Sequence, residues 1–250
     1  MMKLRTIFSL ILSFGLAAST ASANELHNEA RRGDVEAVRS LLSNGADVFE
    51  LDNLVGTPLH WAAARGHSEV VRLLLEAGAP IDAIGPTVER FTPLQLAATG
   101  GSIAVVEQLL QAGADLSYGA VDGGGTALHI AAGKGHADVV ALLLDVGANS
   151  NIEVNNGYAT LPIHWAAAAG ETEIVRLFLA SGVSVDSPSG VGTTALHLAA
   201  FAVHTETALF LIEQGANTEA YSELLETPGL VARAHPDMAA AFVSLGLPLE

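Results

Sequence analysis

Apolar residues recur along the chain with the spacing of short amphipathic helices. A first helix is predicted to begin at Thr57 and Pro58, because threonine suits the N-cap and proline the first helical position. Gly66 then suits a tight turn. A second helix from Glu69 to Glu76 follows, with an apolar surface broad enough to need neighbours on both sides, made of Val70, Val71, Leu73, Leu74 and Leu75.

This pair of predicted helices is repeated along the chain. The first-helix motif TPLHWAA returns, with substitutions, at intervals of 33 to 35 residues, starting at Thr57, Thr92, Thr126, Leu161, Thr194 and, more weakly, Thr227. A glycine that suits the C-terminal end of the second helix keeps the same period, at Gly45, Gly78, Gly113, Gly147, Gly182 and Gly215. Two landmarks in phase indicate a repeat protein.

The motifs resemble those of the ankyrin-repeat family, whose unit of about 33 residues carries T-P-L-H-x-A before a V-V-x-L-L-L helix and G-A-D. The resemblance implies an all-α solenoid of about seven helix-turn-helix units with short β-hairpin-like fingers, covering residues 24–250. It also implies atypical terminal units, which cap the stack. The expected units start near residues 24, 57, 92, 126, 161, 194 and 227.

Three positions depart from the repeat. Gln95 replaces the histidine of its motif and Leu161 replaces the threonine that begins the helix. Val203 occupies the position of the glycine between the two helices. Because valine rarely adopts the left-handed backbone that glycine allows, we expect a modified turn at Val203.

The first 23 residues are expected to lie outside the fold. Lys3 and Arg5 precede a short apolar run, and Ala21 to Ala23 matches a signal-peptidase cleavage pattern. A membrane anchor is the alternative, but a span needs roughly 20 apolar residues. We therefore expect an exported bacterial member of the family, periplasmic or secreted, with a mature chain that begins at Asn24 and does not stay in the membrane.

Composition limits the function classes. The chain has 50% hydrophobic and 15% charged residues, which indicates a packed core and excludes intrinsic disorder. Eleven Lys and Arg against 27 Asp and Glu exclude a nucleic-acid footprint. The excess of acid indicates either ordinary solvation or a basic protein partner. With no cysteine, disulfides, thiol catalysis and thiolate metal sites are excluded.

No catalytic motif stands out, so we expect a non-enzymatic protein without a cofactor or a metal. The chain lacks H-E-x-x-H, G-x-S-x-G and a P-loop. Eight of the nine histidines follow the repeat, and the resemblance implies that they hold adjacent turns together; only His235 does not. The alternative is a small-molecule or metal-binding protein that uses His235, the glycines 123–125 or the acidic fingers.

The resemblance implies a protein-binding surface on the finger tips and the exposed side of the first helices. At the ends of first helices the large or charged residues are Arg65, Lys134 and Phe201, which we expect to form one stripe. Aromatic and arginine side chains are frequent interface anchors, although finger aromatics can instead pack on the next finger. A monomer with one protein partner is expected, with further contacts from Phe49, Arg90, Tyr118 and Tyr158.

Overall fold

The computed structural model describes residues 25–86, 90–119, 125–154, 157–158, 160–247 and 249, so the predicted signal peptide and the glycines 123–124 lie outside the described residues. The described residues form fourteen helices and no strands. None of these helices is long and apolar enough to cross a membrane. The helices are α1 (25–32), α2 (Val35–Ser43), α3 (Pro58–Arg65), α4 (Ser68–Glu76), α5 (Pro93–Gly100), α6 (Ile103–Gln111), α7 (Ala127–Gly133), α8 (Ala137–Asp145), α9 (Pro162–Ala169), α10 (Thr172–Ala180), α11 (Ala195–Phe201), α12 (Thr205–Glu213), α13 (Pro228–Arg233) and α14 (Pro236–Ser244).

Helix starts and stops follow the predicted signals. Thr57 is the N-cap of α3 with an extended backbone, and Pro58 occupies the first helical position. Gly66 ends α3 in the left-handed conformation, with φ of 73°. Because a residue with a Cβ is disfavoured there, this glycine sets the tight turn into α4.

The chain divides into two compact halves, one ending at Ala114 and the other beginning at Asp115. In the N-terminal half, α3 packs on α5, and α4 packs between α2 and α6. In the C-terminal half, α7, α9, α11 and α13 pack in sequence order, as do α8, α10, α12 and α14. Each half therefore has a row of first helices and a row of second helices.

The core of each half combines large side chains with small ones. Leu74 and Leu109 from the second helices are fully buried, and each such side chain contributes about 1.5–3 kcal/mol to stability. In the first helices, pairs of adjacent alanines are fully buried, including Ala62 with Ala63. Their small side chains allow the first helices to approach closely, which positions the exposed ends of these helices side by side.

Turns held by side chains, rather than strands, shape the fingers between helix pairs. The Asp47 carboxylate accepts a hydrogen bond from the Phe49 N–H at 2.8 Å, and Asp115 does the same for Ser117. Asn149 and Asn217 repeat this contact with their side-chain oxygens. The Asp or Asn that follows Gly-Ala in these four units therefore has a local structural role. Isolated antiparallel bridges join Val154 to Thr160 and Ser222 to Glu226.

The expected modified turn at Val203 is wrong, because the chain keeps the same turn. The Val203 N–H donates to the Ala200 carbonyl at 3.2 Å, and the His204 N–H to the Ala199 carbonyl at 2.9 Å. The corresponding bonds after α3 measure 3.2 Å and 3.0 Å. Val203 meets this geometry by adopting a φ of 62°. Hydrogen bonds and helix packing on both sides thus override the preference of a β-branched residue.

Replacing Val203 with glycine should stabilise the protein by about 1 kcal/mol, because it relieves a left-handed β-branched residue whose side chain is only partly buried. Urea unfolding of both proteins measures the difference. Val203→Ala keeps a Cβ at the same φ and should gain less. A Val203→Gly protein less stable than the parent would show that the turn is not strained.

Candidate functional site

Buried imidazoles connect the starts of first helices to the fingers that follow. In α3 the Thr57 N–H donates to His60 Nδ1 at 3.0 Å, and in α9 the Leu161 N–H does so to His164 at 3.0 Å. The Nε2 of each neutral ring therefore carries the proton and donates to a backbone carbonyl. The acceptors for His60, His129, His164 and His197 are the carbonyls of Phe91, Thr160, Ser187 and Glu226, at 2.9–3.2 Å.

Burial makes these rings permanently neutral near pH 7. Desolvation lowers the pKa of His60, His129 and His164 to about 4 in each case, and it lowers the pKa of His197 as well. In α5, Gln95 takes over part of this role, since its Oε1 accepts from the Thr92 N–H at 2.8 Å. The histidines that could have suggested catalysis are thus occupied by structural hydrogen bonds.

Six of the seven residues predicted to contact a partner are exposed, and Tyr118 is half-buried. Phe49 and Phe201 are the most open aromatics among them, with about 60% of their surface accessible (61% and 59%). Arg65 belongs to the N-terminal half and Lys134 to the C-terminal half, so their common stripe with Phe201 stays a prediction. The remaining predicted contacts are Arg90, just before α5, and Tyr158, in the finger before α9.

A groove in the N-terminal half surrounds Trp61 and has a volume of about 330 Å³. The Trp61 indole N–H donates to Asp52 Oδ2 at 2.6 Å, while the Arg31 guanidinium lies 5.6 Å from the centre of the ring. Burial acts to raise the pKa of Asp52, but hydrogen bonds from the indole and from three backbone N–H groups outweigh it, so this pKa is lowered. The walls are His27, Asn28, Arg31, Asp52, Asn53, Leu54 and Trp61.

A second groove, in the C-terminal half, surrounds Trp165 and has a volume of about 380 Å³. The Trp165 indole N–H donates to the Thr160 hydroxyl oxygen at 3.1 Å. Its ring meets His129 edge-on, with ring centres 5.5 Å apart. This groove is mainly apolar and is lined by Gly133, Thr160, His164, Trp165, Ala168, Ala169 and Leu198.

Sequence reasoning missed both tryptophans. Each is the fourth residue after the start of its motif, where the other motifs place Leu96, Ile130 and Leu198. A large aromatic ring at a position that is aliphatic in the other motifs was the sequence feature that could have indicated these sites. Sequence reasoning also missed exposed apolar side chains on fingers, namely Leu51, Leu54, Tyr221 and Leu224.

The described residues contain no group of three His, Asp or Glu side chains able to hold a metal ion. His235, named as a possible ligand, is the half-buried N-cap residue of α14. Gly125 is buried beside His129 and Trp165, whereas glycines 123–124 lie outside the described residues.

Comparison with known proteins supports the resemblance in the sequence. The family model for ankyrin repeats (3 copies) matches residues 26–120, 86–156, 119–188 and 149–222. The crystal structure of the human ASB11 ankyrin repeat domain is similar with a TM-score of 0.78 and 27% identity, covering 88% of this chain and 96% of that one.

Shorter stretches resemble parts of large curated proteins. The chain is 44% identical over 59 residues to the E3 ubiquitin-protein ligase KEG of Arabidopsis thaliana, covering 24% of this chain. It is 43% identical over 56 residues, 22% of the chain, to protein phosphatase 1 regulatory subunit 12A of Mus musculus, and 40% identical over 63 residues, 25% of the chain, to inversin of Danio rerio. These matches span only 4–6% of the relatives' own lengths.

Acid should destabilise the protein through its buried imidazoles. The rings of His60, His129 and His164 stay neutral when folded, with a pKa of about 4, and titrate near 6.5 when unfolded, so their stabilisation is present above pH 6.5 and is lost as the pH falls towards 4. The loss is about 3 kcal/mol per ring.

His164→Gln should cost about 1 kcal/mol at pH 7 but remove about 3 kcal/mol of the loss between pH 7 and pH 4, because glutamine does not titrate. Urea unfolding at both pH values measures this. Gln95→His, the reverse change, should increase the acid sensitivity. Equal pH dependence in all three proteins would contradict the neutral-imidazole assignment.

Proposed function

The chain belongs to the ankyrin-repeat family, and from this we propose that it is a non-enzymatic protein-binding module that acts in the periplasm or after secretion. The observation that carries the proposal is that buried and exposed side chains have different roles. The histidines at the starts of first helices are buried in structural hydrogen bonds, whereas Phe49, Arg65 and Phe201 are exposed. Trp61 and Trp165 each line a groove. Such side chains are typical anchors of protein interfaces.

An accessory role is the form of this function that we favour, as an inhibitor, stabiliser or other regulator of an exported enzyme. The relative from Mus musculus is by name a regulatory subunit of a phosphatase, which supports binding to an enzyme. The absence of cysteine suits a protein that meets oxidising surroundings, where free thiols mispair.

We also infer how the helices are grouped. The fourteen helices alternate between first and second types, which supports seven units in one solenoid from residue 24 to residue 250. The bridge between Val154 and Thr160 supports hairpin-like fingers of minimal length.

The partner that we propose is a basic protein, bound by a monomer of this chain. Residues 115–250 hold fifteen Asp and Glu against three Lys and Arg. In the N-terminal half, Arg72 pairs with Glu69 and Glu76, and Arg39 with Glu36 and Glu69, which offsets part of the acid there. The stronger negative field therefore belongs to the C-terminal half, and it would speed association with a basic surface.

Export is tested by producing the full chain in a Gram-negative host and fractionating the cells. We expect the periplasmic fraction to contain a protein whose first residue, by N-terminal sequencing, is Asn24. A matched chain in which Leu10 and Leu12 are replaced by arginine should remain uncleaved in the cytoplasm, because the apolar run is broken. An uncleaved wild-type chain in the cytoplasm would contradict the proposed location.

Partner binding is tested by capture from periplasmic extract with the mature chain as bait. Arg65→Ala, Lys134→Ala and Phe201→Ala alter exposed side chains, so each should change stability by only about 0.5 kcal/mol. At least one should weaken binding of the captured protein by more than about 1 kcal/mol, measured by calorimetry. A folded triple variant with unaltered affinity would place the interface elsewhere, and repeated capture of nothing beyond the denatured-bait control would refute the function.

A further inference from the structure

The two tryptophans occupy equivalent positions but differ in what covers them. Arg31 follows His27 by four residues, and its guanidinium lies over the ring of Trp61, 5.6 Å from the ring centre. Gly133 follows His129 by the same four residues in the repeat that precedes Trp165. The chain thus supplies its own cation to the first ring and a residue without a side chain beside the second.

Gly133 lies directly against the uncovered ring. A Cβ built on Gly133 would be 3.2 Å from Trp165 Cε3, so a side chain at this position would begin over the indole. Among the described residues, no Lys or Arg lies over Trp165, whereas Arg31 covers Trp61 and Arg176 covers Phe210. Gly133 and Trp165 both line the groove of about 380 Å³.

The electrostatics of this groove favour a cation. Gly133 ends α7, and Ala168 and Ala169 end α9, so the groove lies beside helix C-termini, where backbone carbonyls carry partial negative charge. Of the three cations in the C-terminal half, Arg176 is engaged by Glu173 and Phe210. Lys134 is exposed next to Gly133 and does not cover the ring. The fifteen acids of this half leave its field strongly negative.

We propose that the Trp165 groove binds an arginine side chain presented by a basic protein partner, placed over the indole as the Arg31 guanidinium is placed over Trp61. The inference rests on the proposed protein-binding function and names the anchor that the partner brings. A planar guanidinium stacks on an aromatic face better than an ammonium does, and it is less strongly hydrated. Leu198 and Ala168 offer apolar surface to the methylene part of the side chain.

The test uses three capped pentapeptides with identical leucine-rich flanks and arginine, citrulline or lysine at the centre. Citrulline has nearly the shape of arginine without its charge. Each peptide is titrated to about 10 mM, since contacts of a single side chain bind in the millimolar range. The two tryptophan indole N–H signals in a ¹H–¹⁵N spectrum, assigned with Trp61→Phe and Trp165→Phe, report which ring is contacted.

The arginine peptide should shift the Trp165 signal in a saturable way and leave the Trp61 signal in place, and the citrulline peptide should bind at least about fivefold more weakly. Equal binding of the citrulline peptide would overturn the cation assignment. Equal binding of the lysine peptide would overturn the choice of a guanidinium. No saturable shift of Trp165 with any peptide would overturn the site.

Two substitutions exchange the properties of the rings. Gly133→Arg should give the groove its own cation and weaken the arginine peptide about tenfold, while Gly133→Ala controls for the added Cβ. Arg31→Ala should uncover Trp61, whose signal should then respond to the arginine peptide; the Arg31 carbonyl that accepts from His67 remains. If both variants fold and their tryptophan signals respond to the arginine peptide as the wild-type signals do, the cation-over-tryptophan assignment is refuted. If a variant does not fold, the three peptide titrations of the wild-type chain test the assignment.

Failure of this inference and failure of the proposed function give different results. If Gly133→Arg and the wild-type chain capture the same partner with equal affinity, the protein-binding function stands and the arginine anchor is wrong. If neither chain captures any protein, the proposed function fails, whatever the peptides show.

Discussion

The rest of the structure depends on the hydrogen bonds by which a buried neutral imidazole joins a helix start to the next finger. His60 and His164 each accept a backbone N–H through Nδ1 and donate through Nε2 to a carbonyl more than twenty residues further along the chain. The bonds fix where each finger leaves its helix pair. With no cysteine to cross-link the chain, this placement relies on buried hydrogen bonds and on apolar packing.

The two helix rows of each half serve different purposes because of this arrangement. Second helices bury mainly large side chains such as Leu74 and Leu143. First helices bury pairs of alanines and a histidine as well as large residues such as Leu59, and they leave residues at their ends exposed, among them Arg65 and Phe201. Trp61 and Trp165 each line a groove, and the Trp165 groove includes the last residues of α7 and α9. The small residues Gly133, Ala168 and Ala169 therefore border the open space over Trp165.

Periodic residues made most of the fold predictable, and single departures from the period did not. Thr57, Pro58 and Gly66 each act locally, so their effect on helix ends could be inferred from the sequence. The expectation for Val203 was wrong because packing of the neighbouring helices sets its backbone conformation. A local propensity for valine takes no account of that packing. Within the candidate site, exposure of Phe49 and Phe201 followed from their place in the repeat. The covering of Trp61 by Arg31, by contrast, joins two different repeats and needed coordinates.

The histidine bonds to backbone carbonyls of neighbouring repeats span between 23 and 36 residues, about one repeat. None of these histidine hydrogen bonds joins distant parts of the sequence. The loop that closes when each hydrogen bond forms is therefore short, and the conformational entropy lost in closing it is modest. Folding can begin at any adjacent helix pairs and extend from there in either direction. A destabilising substitution in one repeat would accordingly affect its immediate neighbours most. The chain therefore tolerates local substitutions in a way that proteins with long-range sheet pairing do not.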